Sequence, residues 1–403
     1  MTEQRHLSVV LLAASGIGVV TGLVVLALEH AVHDVLEAVF EAPVWVPAVV
    51  VLAGSLITAV VIRFIGGRST ASTEVYVKEF HRESPGLHSK DAPGRLLGAF
   101  TTLGSGAPLG MEGPAVYTGS ALAAVVHRHW PTMTGRTYHA LLIAGSAAGI
   151  AAVFKAPAAG AIFAMEVPFR GRMAGEKVLP AIFGAAAGYL TMASVDGVKP
   201  ELEVPLINLT FASAVGCVVL GIAIGVAALG VIALVNLAEA SHDRCSAATR
   251  ALVAGAALAG LYVIGRGLTG EPIALASGNS VIDWALQPGH AVVLLLAVFL
   301  IRAIGPAVSI AGGGVGGLFI PLMAAGAVVG RLFADARNDQ ELALYVTVGA
   351  ASMLGAGYAV PLTGVVFVAE YTGQATVIVP ALLAMATTRL IVGSRSVSPN
   401  QVD

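Results

Sequence analysis

Charge is what this chain has least of. Aspartate, glutamate, lysine and arginine together make up 11% of its 403 residues, while 57% are hydrophobic. A soluble domain carries roughly 25% charged residues, so an extensive water-facing surface is excluded. The charges that exist nearly cancel, at a formal net of −2, and no basic surface points to a nucleic acid. Cysteine is scarce too. Cys217 and Cys245 stand alone, with neither a disulfide framework nor a metal-ligand spacing. The histidine pairs His30/His33 and His127/His129 read as interfacial, so no metal or other cofactor is expected. A cleaved signal peptide is not expected, because the first apolar run is too long and continuous for one. The chain stops soon after its last apolar run, so no sizeable soluble C-terminal domain is expected either.

What the chain has instead is apolar sequence in long runs, at 8–28, 46–62, 206–235, 291–300 and 375–388. Several reach the ~20 residues that span a bilayer. The expected fold class is an all-α polytopic membrane protein, placed in a lipid bilayer and, for a bacterial chain, in the inner membrane. Its 48 glycines let transmembrane helices approach closely and break within the membrane. Segment 29–44 carries Glu29, Asp34, Glu37 and Glu41 with no lysine or arginine, and is expected to be an external loop. Segment 63–95 carries Arg63, Arg68, Lys78, Arg82, Lys90 and Arg95. The positive-inside rule puts that segment in the cytoplasm, with both termini on the same side.

The chain repeats itself. Residues 145–167, "GSAAGIAAVFKAPAAGAIFAMEV", align with 349–371, "GAASMLGAGYAVPLTGVVFVAEY". Gly145, Pro157, Gly160, Phe163 and Glu166 match Gly349, Pro361, Gly364, Phe367 and Glu370, each pair 204 residues apart. Arg170, Arg172 and Lys177 follow the first copy, whereas no lysine or arginine follows the second until Arg389. The copies are therefore expected to end on opposite sides, as an inverted-topology repeat of halves 1–195 and 205–395 within one transmembrane domain, 1–403. Folds of this kind place their site near the midplane, between broken helices.

Upstream of each copy lies a glycine-to-proline element, "GMEGPA" at 110–115 and "GGLFIP" at 316–321. Proline suits the first helical turn, where its missing N–H would be unpaired. Two helices beginning inside the membrane would aim their N–H groups and positive dipole ends at one anion. Glu112 is the only carboxylate in the first element, and an ionisable residue at such depth points to function.

With these residues in place the sequence resembles the CLC family of chloride channels and proton-coupled anion exchangers, over nearly its whole length. "GMEGP" is similar to the family's G-K/R-E-G-P motif, with Met111 in place of the basic residue, and "GGLFIP" is similar to G-x-F-x-P. The resemblance implies that Glu112 is a gate whose carboxylate competes with the permeant anion and leaves on protonation. It implies an anion site lined by Gly110, Met111 and Gly113 and by Gly317, Leu318 and Phe319, with the Leu318 and Phe319 N–H groups as donors. The family's G-S-G-I-P motif falls near 67–71, here "GRSTAS", where Ser69 or Thr70 would supply a hydroxyl or else cap the helix that follows. The family's central tyrosine falls near 397–398, where Ser398 stands. The internal glutamate of proton-coupled members corresponds to Val167, a residue that resembles the channel branch. Glu166 and Glu370 read as structural, bonding helix N–H groups.

The expectation from these departures is a homodimer, each subunit with its own pore, carrying chloride in a channel-like or weakly proton-coupled manner. A proton-coupled exchanger for chloride, fluoride or bicarbonate is the alternative. "GSG" at 104–106 also raises an intramembrane serine protease with Ser105 as nucleophile. That reading lacks a histidine deep in an apolar run to act as base, so no enzymatic activity is expected.

Overall fold

The computed structural model describes residues 3–65, 72–82, 86–87, 89–130, 133–207, 209–242, 245–337 and 341–403. Among them are sixteen α-helices. In chain order the first eight are α1 (Glu3–Glu41), α2 (Val46–Phe64), α3 (Ser72–Phe80), α4 (Ala92–Gly104), α5 (Glu112–His129), α6 (Gly135–Phe154), α7 (Pro157–Glu166) and α8 (Val178–Asp196). The second eight are α9 (Phe211–Ala240), α10 (Ala247–Thr269), α11 (Asn279–Leu286), α12 (Val292–Ala311), α13 (Phe319–Arg337), α14 (Leu342–Gly357), α15 (Pro361–Thr372) and α16 (Ile378–Val392). Nine helical segments among the described residues are long and apolar enough to cross a membrane. Leu12, Ile57, Leu190, Val226, Val263 and Leu390 point outward from them, which suits a lipid solvent and not water.

One loop expected from the sequence is helical. Residues 29–41 continue α1, so the acids at 29, 34, 37 and 41 sit on its last turns. Nothing in that stretch breaks a helix before Pro43, which disfavours helix in the residue ahead of it. At 1.5 Å per residue α1 is roughly 58 Å long, longer than a hydrocarbon core of about 30 Å, so it tilts or projects.

The two halves match element by element. α1 packs on α6 and α8, and α9 on α14 and α16. α5 lies against α6 as α13 lies against α14, and both contacts are glycine to glycine. A Cβ on Gly119 would stand 1.9 Å from the Gly145 carbonyl oxygen, and one on Gly326 2.3 Å from that of Gly349. The chain turns through a left-handed residue at Lys155 (φ 48°) and again at Ala359 (φ 57°), positions 204 apart like the repeat itself.

The halves also exchange bonds reciprocally. Glu166, near the C-terminus of α7, accepts the N–H groups of Leu362 (3.1 Å) and Thr363 (2.9 Å) and the Thr363 hydroxyl (2.8 Å) at the start of α15. Glu370, near the end of α15, accepts those of Ala158 (3.0 Å) and Ala159 (2.7 Å) at the start of α7. When i binds j′ and i′ binds j, a two-fold axis relates the partners. Here the two short helices run antiparallel across it. Both glutamates are structural, as the sequence implies.

Candidate functional site

Two glycine loops meet at the centre. Each turns through a left-handed glycine, Gly106 (φ 89°) and Gly313 (φ 88°), and each then enters a helix, α5 or α13. The loops are joined where Gly110 and Gly317 each donate an N–H to the other's carbonyl, both at 2.8 Å. The N–H groups of Gly110 and Gly317 are bound to each other, so these residues frame the site and do not donate to an anion. A side chain at either would displace the Glu112 carboxylate. A Cβ on Gly110 would lie 2.0 Å from Glu112 Oε2, and one on Gly317 2.2 Å from Oε1. Gly113, in the first turn of α5, packs against the Gly316 backbone, where a Cβ would stand 3.0 Å from the Gly316 carbonyl.

Glu112 is fully buried. Its Oε1 accepts the N–H of Phe319, the first residue of α13. Its Oε2 has no hydrogen-bond partner among the described residues. The Glu112 carboxylate therefore occupies one of the two donors that the family resemblance assigns to the anion. The other donor, Leu318 N–H, gives its proton to the hydroxyl of Tyr358 at 3.1 Å. Around them the Phe319 ring stacks on Phe154 and meets Phe163 and Phe367 edge-on, with centroids 4.9, 5.6 and 4.6 Å away. This apolar shell removes water, so the few N–H and hydroxyl groups left carry most of the electrostatics.

The remaining expected residues are placed as follows. Ser69 and Thr70 lie outside the described residues. Met111 is half-buried and lines a cavity of about 180 Å³ with Leu109, Glu29, His33 and Glu201. Ser398 is bound to a buried carboxylate. Its hydroxyl and the Asn400 amide donate to the two carboxylate oxygens of Glu74, which is itself buried. Val167 is fully buried, and its carbonyl accepts the side-chain amide of Gln401 at 2.9 Å. The same amide reaches the Tyr358 carbonyl at 2.7 Å, while Gln401 Oε1 is buried without a partner among the described residues. Ser396, which hydrogen-bonds the Gly357 carbonyl at 3.2 Å, lines a second cavity of about 650 Å³ with Arg170, Asn236 and Arg395. Ser105 donates its hydroxyl to the Thr102 carbonyl at 2.9 Å, and no histidine among the described residues hydrogen-bonds it.

Glu74, Tyr358 and Gln401 are residues that sequence reasoning missed. For Glu74 and Gln401 no local pattern signals a role. Tyr358 does carry a signal. It occupies the repeat position of Phe154, so the second copy adds a hydroxyl where the first has none.

Comparison with known proteins agrees with this geometry. The family model described as voltage gated chloride channel matches residues 50–393. The H(+)/Cl(-) exchange transporter ClcA of Salmonella arizonae is 30% identical, over 93% of this chain and 83% of its own length. The transporter of the same name from Citrobacter koseri is 28% identical over the same shares. Among solved structures, a CLC-type fluoride/proton antiporter superposes with a TM-score of 0.87 at 20% identity, covering 100% of both chains. A slow cyanobacterial Cl-/H+ antiporter superposes with 0.85 at 20% identity, over 96% of each. At that identity the structural likeness concerns the fold alone. The match to the family model covers most of the sequence, and the chain belongs to the voltage gated chloride channel (CLC) family of multi-pass membrane anion transport proteins.

Proposed function

We propose that this protein is a proton-coupled anion exchanger with chloride as its default anion. The observation that carries the reading is the Glu112 carboxylate on the Phe319 N–H. Carboxylate and anion compete for one donor, so an entering anion displaces the carboxylate. Once displaced, the carboxylate can take up a proton, and it returns to the donor after losing it. A single group that alternates between anion mimic and proton carrier links the two fluxes. The curated relatives, which bear the name of H(+)/Cl(-) exchange transporters, weigh toward this reading and against the passive flow expected from Val167.

Val167 removes a titratable group from the inner half but does not leave that half apolar. Gln401 bridges the Val167 and Tyr358 carbonyls, and its unpartnered oxygen is a foothold for water. A water chain there replaces the missing carboxylate in this reading. The functional unit is a homodimer with both termini of each chain in the cytoplasm, as the family resemblance and the loop charges imply.

Reconstitution in liposomes tests the proposal. An outward chloride gradient is expected to drive protons inward against their own gradient, and Glu112→Gln should abolish that movement while chloride still flows. Repeating the assay with fluoride and bicarbonate identifies the preferred anion. Chloride flux with no uphill proton movement for any of the three would return the protein to the passive class.

A further inference from the structure

The family's tyrosine is missing at 397–398, and Ser398, which stands there, is bound to Glu74. Yet a tyrosine hydroxyl does sit at the anion donors. Tyr358 comes from a different element, the residue after α14, and it is buried with 4% of its surface exposed. Its oxygen accepts the Leu318 N–H at 3.1 Å. The neighbouring N–H, that of Phe319, holds Glu112. Consecutive N–H groups at a helix start point the same way along its axis, so the phenol and the gate carboxylate are neighbours at one end of α13.

Among the described residues the one well-formed hydrogen bond of the phenol is the one it accepts, so its own proton is not firmly committed. Thr73, in the first turn of α3, is also buried. Its hydroxyl interacts with that of Tyr358 but makes no well-formed hydrogen bond. Two buried hydroxyls therefore face each other with a proton to give, beside a helix N-terminus and a carboxylate that can leave.

We infer that the Tyr358 hydroxyl is a side-chain ligand of the transported anion, donating its proton to the anion while it accepts the Leu318 N–H. The arrangement is cooperative. A hydroxyl that accepts a hydrogen bond becomes a better donor through polarisation. The partial positive charge at the start of α13 thus reaches the anion through the phenol, one atom beyond the backbone. The ring also fits the role. It meets Phe163 edge-on, with centroids 5.9 Å apart, and the Tyr358 carbonyl is held by Gln401, so the hydroxyl is delivered by a fixed side chain.

This inference rests on the site being an anion site, not on proton coupling. Its test is chloride binding to the purified protein by titration calorimetry, with fluoride used if chloride gives no signal. Tyr358→Phe removes one oxygen and leaves the ring. Loss of a hydrogen bond to a charged partner should weaken binding roughly tenfold or more. The competing role, a hydroxyl that only satisfies Leu318, predicts the reverse: its removal frees an N–H for the anion, and affinity holds or rises. Unchanged or tighter binding in Tyr358→Phe overturns the inference while the anion site stands. If the wild type binds neither anion, the functional reading fails and the inference with it. Should the phenylalanine variant not fold, 3,5-difluorotyrosine at position 358 keeps ring and hydroxyl and makes the phenol a stronger donor. Anion binding should then tighten, and unchanged or weaker binding refutes the ligand role.

Discussion

Glu112 holds the Phe319 N–H with one oxygen and nothing with the other. A buried polar atom without a partner costs about 1–3 kcal/mol, so the carboxylate is only half satisfied where it sits. A halide on the same donor carries no second oxygen, so displacement of the carboxylate by a halide relieves that part of the cost. The amide of Glu112→Gln keeps an oxygen for Phe319 and cannot titrate. Anion flux in this variant should be the same at acid and neutral pH, whereas wild-type flux should rise on acidification as protonation releases the gate. Flux measured at both pH values decides it, and a pH profile shared by both proteins would remove Glu112 from the gating role. Glu112, Leu318 and Phe319 were legible in the sequence because two short motifs fix them locally. Tyr358 was not, because its partner lies 40 residues away and only the fold joins them. Gly110 and Gly317 were legible as glycines of the two motifs, but their mutual bonds were not, since a motif marks a glycine without saying whether its N–H is free.

The short helices α7 and α15 would be marginal alone at 10 and 12 residues, below the length at which isolated helices hold together. Each has its first N–H groups bound by a glutamate of the other. Glu166→Ala would leave the start of α15, at Leu362 and Thr363, without its acceptor. A loss of roughly 1–3 kcal/mol is expected, read as a lower midpoint of thermal unfolding in detergent. Glu370→Ala should cost less, because Glu370 is half-buried while Glu166 is buried. Anion selectivity should be unchanged in both, and a selectivity change with intact stability would make either glutamate part of the transport path. At this scale the sequence was partly legible. Apolar runs marked the lipid-facing helices, and the repeat predicted the Glu166 and Glu370 bonds. The end of α1 was misread as a loop because its acids look like loop residues when only charge is counted. α6, α13 and α14 show no one-sided apolar stripe because they are buried on most sides, and periodicity carries no direction for such a helix.

Across the whole molecule, two cavities are lined by different elements, one by Met111 and Leu109 and the other by Ser396. The second is lined by Arg170 and Arg395, cations suited to gathering anions at that mouth. Four contacts at or beside the site join one repeat to the other: Gly110 with Gly317, Glu112 with Phe319, Glu166 with α15 and Glu370 with α7. The peptide link between the repeats contributes none of them. It leaves α8 at Gly197, passes the exposed Val198, and is tied to the second half where Leu202 donates to the Tyr371 carbonyl at 3.0 Å. The interlocked contacts are therefore expected to assemble the halves without covalent continuity, so that the protein behaves as a heterodimer encoded in one piece. Cells producing 1–197 and 198–403 as separate polypeptides should yield a complex that co-purifies through a tag on either fragment and transports chloride after reconstitution, with each fragment degraded when made alone. Fragments that accumulate separately without associating would show that the tether, and not the interlocked contacts, holds the halves in register.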